Sequence, residues 1–197
     1  HFVIEGDEYD TAFFDKRSKF LHYAPKAVIV NNVEFDHADI FRDLDAVIAA
    51  FAKFAAIVPR GAPLLVPDGD PNVPRVLAEA GATGITFGVN RGRWQATGVS
   101  HAGGRTRFTL VHDGTEAGGF ATPLIGDHNL RNTVAALALL HEVGAVTPAL
   151  AGALASFRGI RKRQEVKGVE AGVTVIDDFA HHPTAVRETL KAVRQAY

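Results

Sequence analysis

The sequence predicts an α/β fold: a largely parallel sheet flanked by helices, with a small antiparallel subsheet. Short apolar runs at residues 27–30 and 64–66 read as strands buried on both faces. Between them, Leu44, Val47, Ile48, Phe51, Phe54 and Ala55 repeat at helical spacing. The resulting order, β, β, α, β, α, β, is that of parallel strands joined by helical crossovers.

In chain order, Phe2, Val3 and Ile4 read as a strand that delivers Glu5, Asp7, Glu8 and Asp10 at its carboxyl end, with Gly6 letting the backbone turn among the acids. The same cluster also reads as a solvated acidic loop. Residues 11–20 mix aromatics with Asp15, Lys16, Arg17 and Lys19, a surface segment with buried Phe anchors. The run at 27–30 leads into Asn31, Asn32, Glu34, Asp36, His37 and Asp39. In open α/β sheets the carboxyl ends of strands face the ligand crevice; the alternative is a polar loop after a core strand. A helix over 43–58 ends at Pro59-Arg60-Gly61. A strand at 64–66, a turn at Asp68-Gly69-Asp70-Pro71, a helix over 73–80 and a strand at 85–87 follow.

From 94 to 121, short alternating runs separated by Gly103-Gly104, Asp113-Gly114 and Gly118-Gly119 are hairpin signals, giving the antiparallel subsheet. Gly126 precedes a long helix over 128–143, where backbone N–H groups and the helix dipole favour an anion. Asp127 could equally be its cap. Thr147 and Pro148 open a helix to 157, as cap and first helical residue. Arg158, Arg161, Lys162 and Arg163 form a basic cluster around Gly159, a hinge able to bind phosphate or a solvated linker. A strand at 173–176 ends in Asp177, Asp178, His181 and His182. The last helix starts at Pro183, with Val186, Leu190 and Val193 as its apolar stripe.

The whole-chain numbers narrow the function. A net charge of −1 argues against nucleic-acid binding driven by bulk charge. With no cysteine, neither disulfides nor thiolate metal sites exist, which fits a reducing compartment. No apolar run approaches the roughly 20 residues needed to span a bilayer. The chain opens in mid-strand character, holds no methionine and ends inside a helical pattern, so it reads as a piece of something longer.

Acids or imidazoles thus follow three strands, and a basic hinge joins them. Carboxylates hold Mg²⁺, the metal neutralises phosphate oxygens, and an arginine stabilises charge on a transferred phosphoryl group. The G-x-x-x-x-G-K-[ST] phosphate loop does not occur in these residues, so an ATP site here would need that loop from elsewhere.

Five motifs in order resemble the Mur ligase family: Glu5-Gly6-Asp7-Glu8; Asn32-Val33-Glu34-Phe35-Asp36-His37; Gly126-Asp127-His128-Asn129-Leu130-Arg131-Asn132; Lys162-Arg163; and Asp177-Asp178-Phe179-Ala180-His181-His182-Pro183-Thr184. Residues 8–20 and 35–41 are most similar to the branch that joins L-alanyl-γ-D-glutamyl-meso-diaminopimelate to UDP-N-acetylmuramate in peptidoglycan recycling. The branch that uses L-alanine is the next most similar. The resemblance implies ATP and Mg²⁺ as cofactors, UDP-N-acetylmuramate and a murein-derived peptide as substrates, and an acyl-phosphate intermediate. It also implies most of a central ATPase domain over 1–157, without its phosphate loop, and over 158–197 the hinge and first β-α unit of a Rossmann-like ligase domain. By position, Glu5 and His37 match the Mg²⁺ ligands, and Asn32 lies near the phosphates. His128, Asn129 and Asn132 match the segment against the adenine. Arg163 matches the arginine reaching the γ-phosphate, Asp178 an acid contacting the nucleotide, and His181 and His182 the pair facing the substrate. Glu5, His37 and Arg163 are therefore the expected catalytic residues. Lys53 lies near the place of a carbamylated lysine in some members, but a solvent-reaching role fits it better.

Two other classes compete. A metal-dependent hydrolase could use Asp36, His37, Asp39, His181 and His182, though Glu34 stands where the commonest pattern needs a histidine. A non-catalytic nucleotide- or peptide-binding domain is the other.

Overall fold

The computed structural model describes residues 2–10 and 15–197. It divides into two compact units, residues 1–87 with 138–144, and residues 88–137 with 145–197.

In the first unit β1 (Val28–Ile29), β2 (Leu64–Pro67) and the first three residues of β3 (Ile85–Val89) pair in parallel, with Val28 opposite Leu64 and Leu65 opposite Ile85. Every residue of β2 is buried, as its uninterrupted apolar sequence requires. Two crossover helices join the strands, α1 (Leu44–Ile57) and α2 (Val73–Ala80). Asp43 caps α1 by accepting the Ala46 N–H at 2.9 Å. Gly81 ends α2 in the left-handed conformation that favours glycine. The buried side of α1 (Val47, Ile48, Phe54 and Ala55) packs in one cluster with Val28, Val30, Leu64 and Val66 of the sheet. Phe20 joins that core, its ring stacked on Phe54 at 4.4 Å between centroids. The anchor expected in residues 11–20 is thus Phe20, while residues 11–14 lie outside the described ones.

In the second unit β4 (Trp94–Ala102), β5 (Arg105–His112) and β6 (Thr115–Thr122) form the antiparallel subsheet. The parallel strands run in the order β1-β2-β3 and the antiparallel ones in the order β4-β5-β6. The expected α/β class with its antiparallel subsheet is therefore present, and the antiparallel strands are the longer ones. α3 (Asp127–Glu142) and α4 (Leu150–Ser156) follow, then β7 (Glu165–Glu170) paired antiparallel with β8 (Val173–Asp177), then α5 (Pro183–Ala196).

Three expectations need correcting. Phe2, Val3 and Ile4 form no strand; Phe2 and Val3 are 89% and 91% exposed. Apolar residues make a strand only where a neighbouring strand takes up their N–H and C=O groups. Thr147 and Pro148 do not open α4, which begins at Leu150 after Ala149; Thr147 instead accepts the Leu150 N–H through its carbonyl. On α5 the residue fully buried is Ala192, while Val186 and Leu190 of the expected stripe are exposed.

Candidate functional site

In the first unit, the segment after β1 is fixed by a clamp from the turn after β2. Val33 is fully buried; its N–H donates to Asp70 Oδ2 at 3.0 Å, and its C=O accepts from Asn72 Nδ2 at 2.7 Å. Both backbone groups of a residue between Asn32 and Glu34 are thereby satisfied without a strand partner. Asn32 is left exposed. Farther along, Asp36 Oδ1 accepts the His37 N–H at 2.7 Å, and the His37 C=O accepts the N–H groups of Ile40 and Phe41 at 2.8 and 2.9 Å. His37 sits at φ +54°, a left-handed backbone uncommon away from glycine. Such strain clusters at functional sites.

The His37 imidazole points to the acidic segment. Its Nε2 lies 3.2 Å from Glu8 Oε1, and its ring lies 5.0 Å from that of Tyr9. The segment is itself held in place: Lys19 N–H donates to the Tyr9 carbonyl at 2.9 Å, and Phe20 N–H to that of Asp7 at 3.3 Å. Lys19 Nζ lies 4.1 Å over the Tyr9 ring and 3.4 Å from Asp7 Oδ2. A hydrogen bond to the Asp7 carboxylate, with burial and that negative charge, raises the Tyr9 hydroxyl pKa. Of the two metal-ligand candidates, Glu5 is exposed, and the acid brought to His37 is Glu8, which sequence reasoning did not single out. Four acids within six residues flagged the segment, but their spacing gave no way to choose among them.

Among the described residues no group of three or more His, Asp or Glu side chains is gathered to hold a metal. A Mg²⁺ carried by phosphate oxygens keeps most of its shell from phosphate and water and needs only one or two protein groups. The His37 imidazole fits that requirement as one such group, with the Glu8 carboxylate 3.2 Å from its Nε2 to hold the ring in place.

In the second unit, the start of α3 and the hinge form one polar network. Gly126, at φ +89°, approaches α5 so closely that a Cβ there would stand 2.5 Å from that of Ala192. Next to it His128 is half-buried, and burial pushes its imidazole pKa down, against the raising influence of Glu188, Asp178 and Asp127. Asn129 Nδ2 donates to the Ile125 carbonyl at 2.9 Å and to Gln164 Oε1 at 3.0 Å. Asn132 is exposed farther along α3.

The expected hinge bends sharply at Arg163, whose two neighbours both have positive φ, Lys162 at +58° and Gln164 at +51°. Asp178 secures this turn: Oδ2 accepts the Gln164 N–H at 2.8 Å and Oδ1 the Ala180 N–H at 2.7 Å. The Phe179 N–H donates back to the Lys162 carbonyl at 2.8 Å. Arg163 itself is exposed, its guanidinium 6.0 Å from the centre of the Phe179 ring. His181 is exposed with Nδ1 3.0 Å from the Phe179 carbonyl oxygen, and His182 is the N-cap residue of α5. The network thus joins His128, Asn129 and Asp178 through Gln164. That residue gave no signal in the sequence, being an uncharged amide at the end of a basic cluster.

The chain thus combines a parallel α/β sheet, a carboxylate against the imidazole that follows β1 and a sharply turned segment that carries an exposed arginine. Residues 1–140 match the family model of the Mur ligase middle domain, and 162–197 that of the Mur ligase, glutamate ligase domain. The chain belongs to the Mur ligase family. It is 44% identical over 193 residues to the UDP-N-acetylmuramate--L-alanyl-gamma-D-glutamyl-meso-2,6-diaminoheptandioate ligase of Escherichia coli (strain K12), covering 98% of this chain and 42% of that protein. It is 36% identical to the UDP-N-acetylmuramate--L-alanine ligase of Desulfitobacterium hafniense (strain Y51), covering 98% of this chain and 43% of that one. Among solved structures, the UDP-N-acetylmuramate:L-alanyl-gamma-D-glutamyl-meso-diaminopimelate ligase from Neisseria meningitides superposes with a TM-score of 0.70 at 38% identity, covering 81% of this chain and 48% of that one. The chain spans less than half the length of these relatives. No helix among the described residues is long and apolar enough to cross a membrane.

Proposed function

We propose that this chain is part of an ATP-dependent amide ligase that joins L-alanyl-γ-D-glutamyl-meso-diaminopimelate to UDP-N-acetylmuramate in the cytoplasm, in peptidoglycan recycling. The observation that carries the reading is the 44% identity over 193 residues to a relative of that name, against 36% to the relative named for L-alanine. The family-model limits at 140 and 162 support a central ATPase domain to residue 157 and the opening of a ligase domain from 158.

The reaction has two steps. The substrate carboxylate attacks the γ-phosphorus of ATP, giving an acyl phosphate and ADP. The peptide amine then attacks the acyl carbon, the C–O bond breaks, and phosphate leaves. Carboxylate and triphosphate are both anionic, so lowering their repulsion is the main electrostatic task. Mg²⁺ would neutralise phosphate oxygens, held by His37 and Glu5 in the matched pattern, with Glu8 placed to orient His37. Asn32 would contact the phosphates, and His128, Asn129 and Asn132 the adenine. Asp178 holds the turn that presents Arg163 and would meet the nucleotide from there. Arg163 would bind the γ-phosphate, and carrying it on a hinge makes hinge placement a condition for transfer, so water is denied early access. His181 and His182 would face the second substrate.

Oxygen bookkeeping tests this mechanism. With ¹⁸O in the carboxylate of UDP-N-acetylmuramate, the full-length enzyme should release phosphate carrying one ¹⁸O. Unlabelled phosphate would reject the acyl-phosphate route.

A further inference from the structure

The hydrogen bonds of the Gln164 carboxamide fix one another's direction. Asn129 Nδ2 donates to the Ile125 carbonyl, so that amide has only one orientation. The same nitrogen donates to Gln164 Oε1 at 3.0 Å, which turns Gln164 Nε2 toward His128 Nε2, 3.3 Å away. An amide nitrogen donates and does not accept, so His128 accepts through Nε2 and its proton stays on Nδ1. Nδ1 is buried and has no hydrogen-bond partner among the described residues. His128 is therefore held neutral in a single tautomer. The groups facing it are Asp127 and Arg131 of α3, Glu188 of α5 and Asp178 of the hinge. The backbone of Gln164 is tied as well, through its N–H to Asp178, in the left-handed turn that carries Arg163.

We infer that Gln164 is a positioning residue: its carboxamide locks the Arg163 turn to the first turn of α3, so the guanidinium is presented from a fixed point. This rests on the role given to Arg163 above. Side chain and backbone are anchored to different elements, so releasing the carboxamide frees the turn to drift from α3. A drift of about 1 Å at a phosphoryl-transfer group costs up to roughly a hundredfold in rate.

Two variants test it, Gln164→Leu, which removes both side-chain bonds at similar size, and Gln164→Glu, which keeps the acceptor for Asn129 but faces His128 with a carboxylate. In the 197-residue chain, ¹⁵N NMR of the imidazole should show the Nδ1–H tautomer for the wild type. Gln164→Glu should raise the His128 titration midpoint by about one pH unit or more. In the full-length ligase, Gln164→Leu should lower kcat between about ten- and a hundredfold, by clearly more than it raises KM for ATP. An Nε2–H tautomer, or a His128 midpoint unmoved by Gln164→Glu, overturns the lock. A shifted midpoint with the kcat of Gln164→Leu unchanged overturns the positioning role. A wild-type enzyme that forms no amide bond instead sinks the functional reading, and the positioning role with it, while the NMR still decides the contact.

Discussion

Glu8 Oε1 lies 3.2 Å from Nε2 of His37, the histidine whose backbone is twisted to φ +54°. A carboxylate against an imidazole fixes ring orientation and tautomer, and such partners of metal-binding histidines are typically worth about ten- to a hundredfold in metal affinity. Glu8→Gln in the full-length enzyme should therefore raise the Mg²⁺ concentration for half-maximal rate roughly tenfold, with saturating Mg²⁺ restoring most of the rate. A Mg²⁺ titration matching the wild type would remove Glu8 from the site.

Asp70 and Asn72 clamp Val33 through its two backbone groups. Asp70→Ala leaves a buried N–H unsatisfied and should cost about 1–3 kcal/mol in urea denaturation of the chain. Asp43→Ala, which removes the α1 cap, should also lower the midpoint. Unchanged midpoints would show that water replaces both acceptors.

Gly126 combines φ +89° with a Cβ position 2.5 Å from that of Ala192. Gly126→Ala should destabilise the chain by about 1–3 kcal/mol, read as a lower thermal midpoint. A larger effect at this glycine than at Gly144, whose Cβ would meet nothing, separates the close approach from the backbone cost alone.

His128 links stability to pH. Burial lowers its folded pKa below the ordinary 6.5, so in the window below 6.5 the unfolded chain binds the proton first. The stability contributed by the neutral imidazole is complete above that value and is lost as pH falls toward the lowered folded pKa. His128→Asn should flatten the stability–pH curve in that window, measured by urea denaturation at several pH values; an unchanged slope would assign the dependence elsewhere.

Arg163→Ala should reduce kcat of the full-length ligase by about a thousandfold while ATP affinity changes far less, because the role proposed for the guanidinium is on charge that develops during transfer. Equal losses in turnover and in ATP binding, by single-turnover kinetics and calorimetry, would contradict this role.

The legible parts of the fold share a cause: an apolar period long enough to survive noise, or a residue with one stereochemical use. α1 is legible in its repeated apolar positions, and α2 in the turn Asp68-Gly69-Asp70-Pro71 that leads into it. β7 carries no strand pattern in the sequence because the register shift between Val166 and Gly168 breaks its two-residue alternation. Phe2 to Ile4 carried strand composition without a paired neighbour, and composition cannot report pairing. On α5 the period was visible in Val186 and Leu190, but periodicity marks an apolar face and not what that face meets. In the site, charged groups stood out and their partners did not. Glu8 was one acid among four, Asp70 read only as a turn residue, and Gln164 carried no charge to notice. Each matters through a contact with a residue distant in sequence.

The most direct measurement is product analysis with the full-length enzyme, given UDP-N-acetylmuramate, ATP and Mg²⁺ together with either the tripeptide or L-alanine. ADP and the amide product should form with the tripeptide, in equal amounts, with much less product from L-alanine and none without ATP. Preference for L-alanine would move the substrate assignment to the other branch of the family. Hydrolysis without any nucleotide, dependent on bound zinc, would contradict the ligase reading altogether.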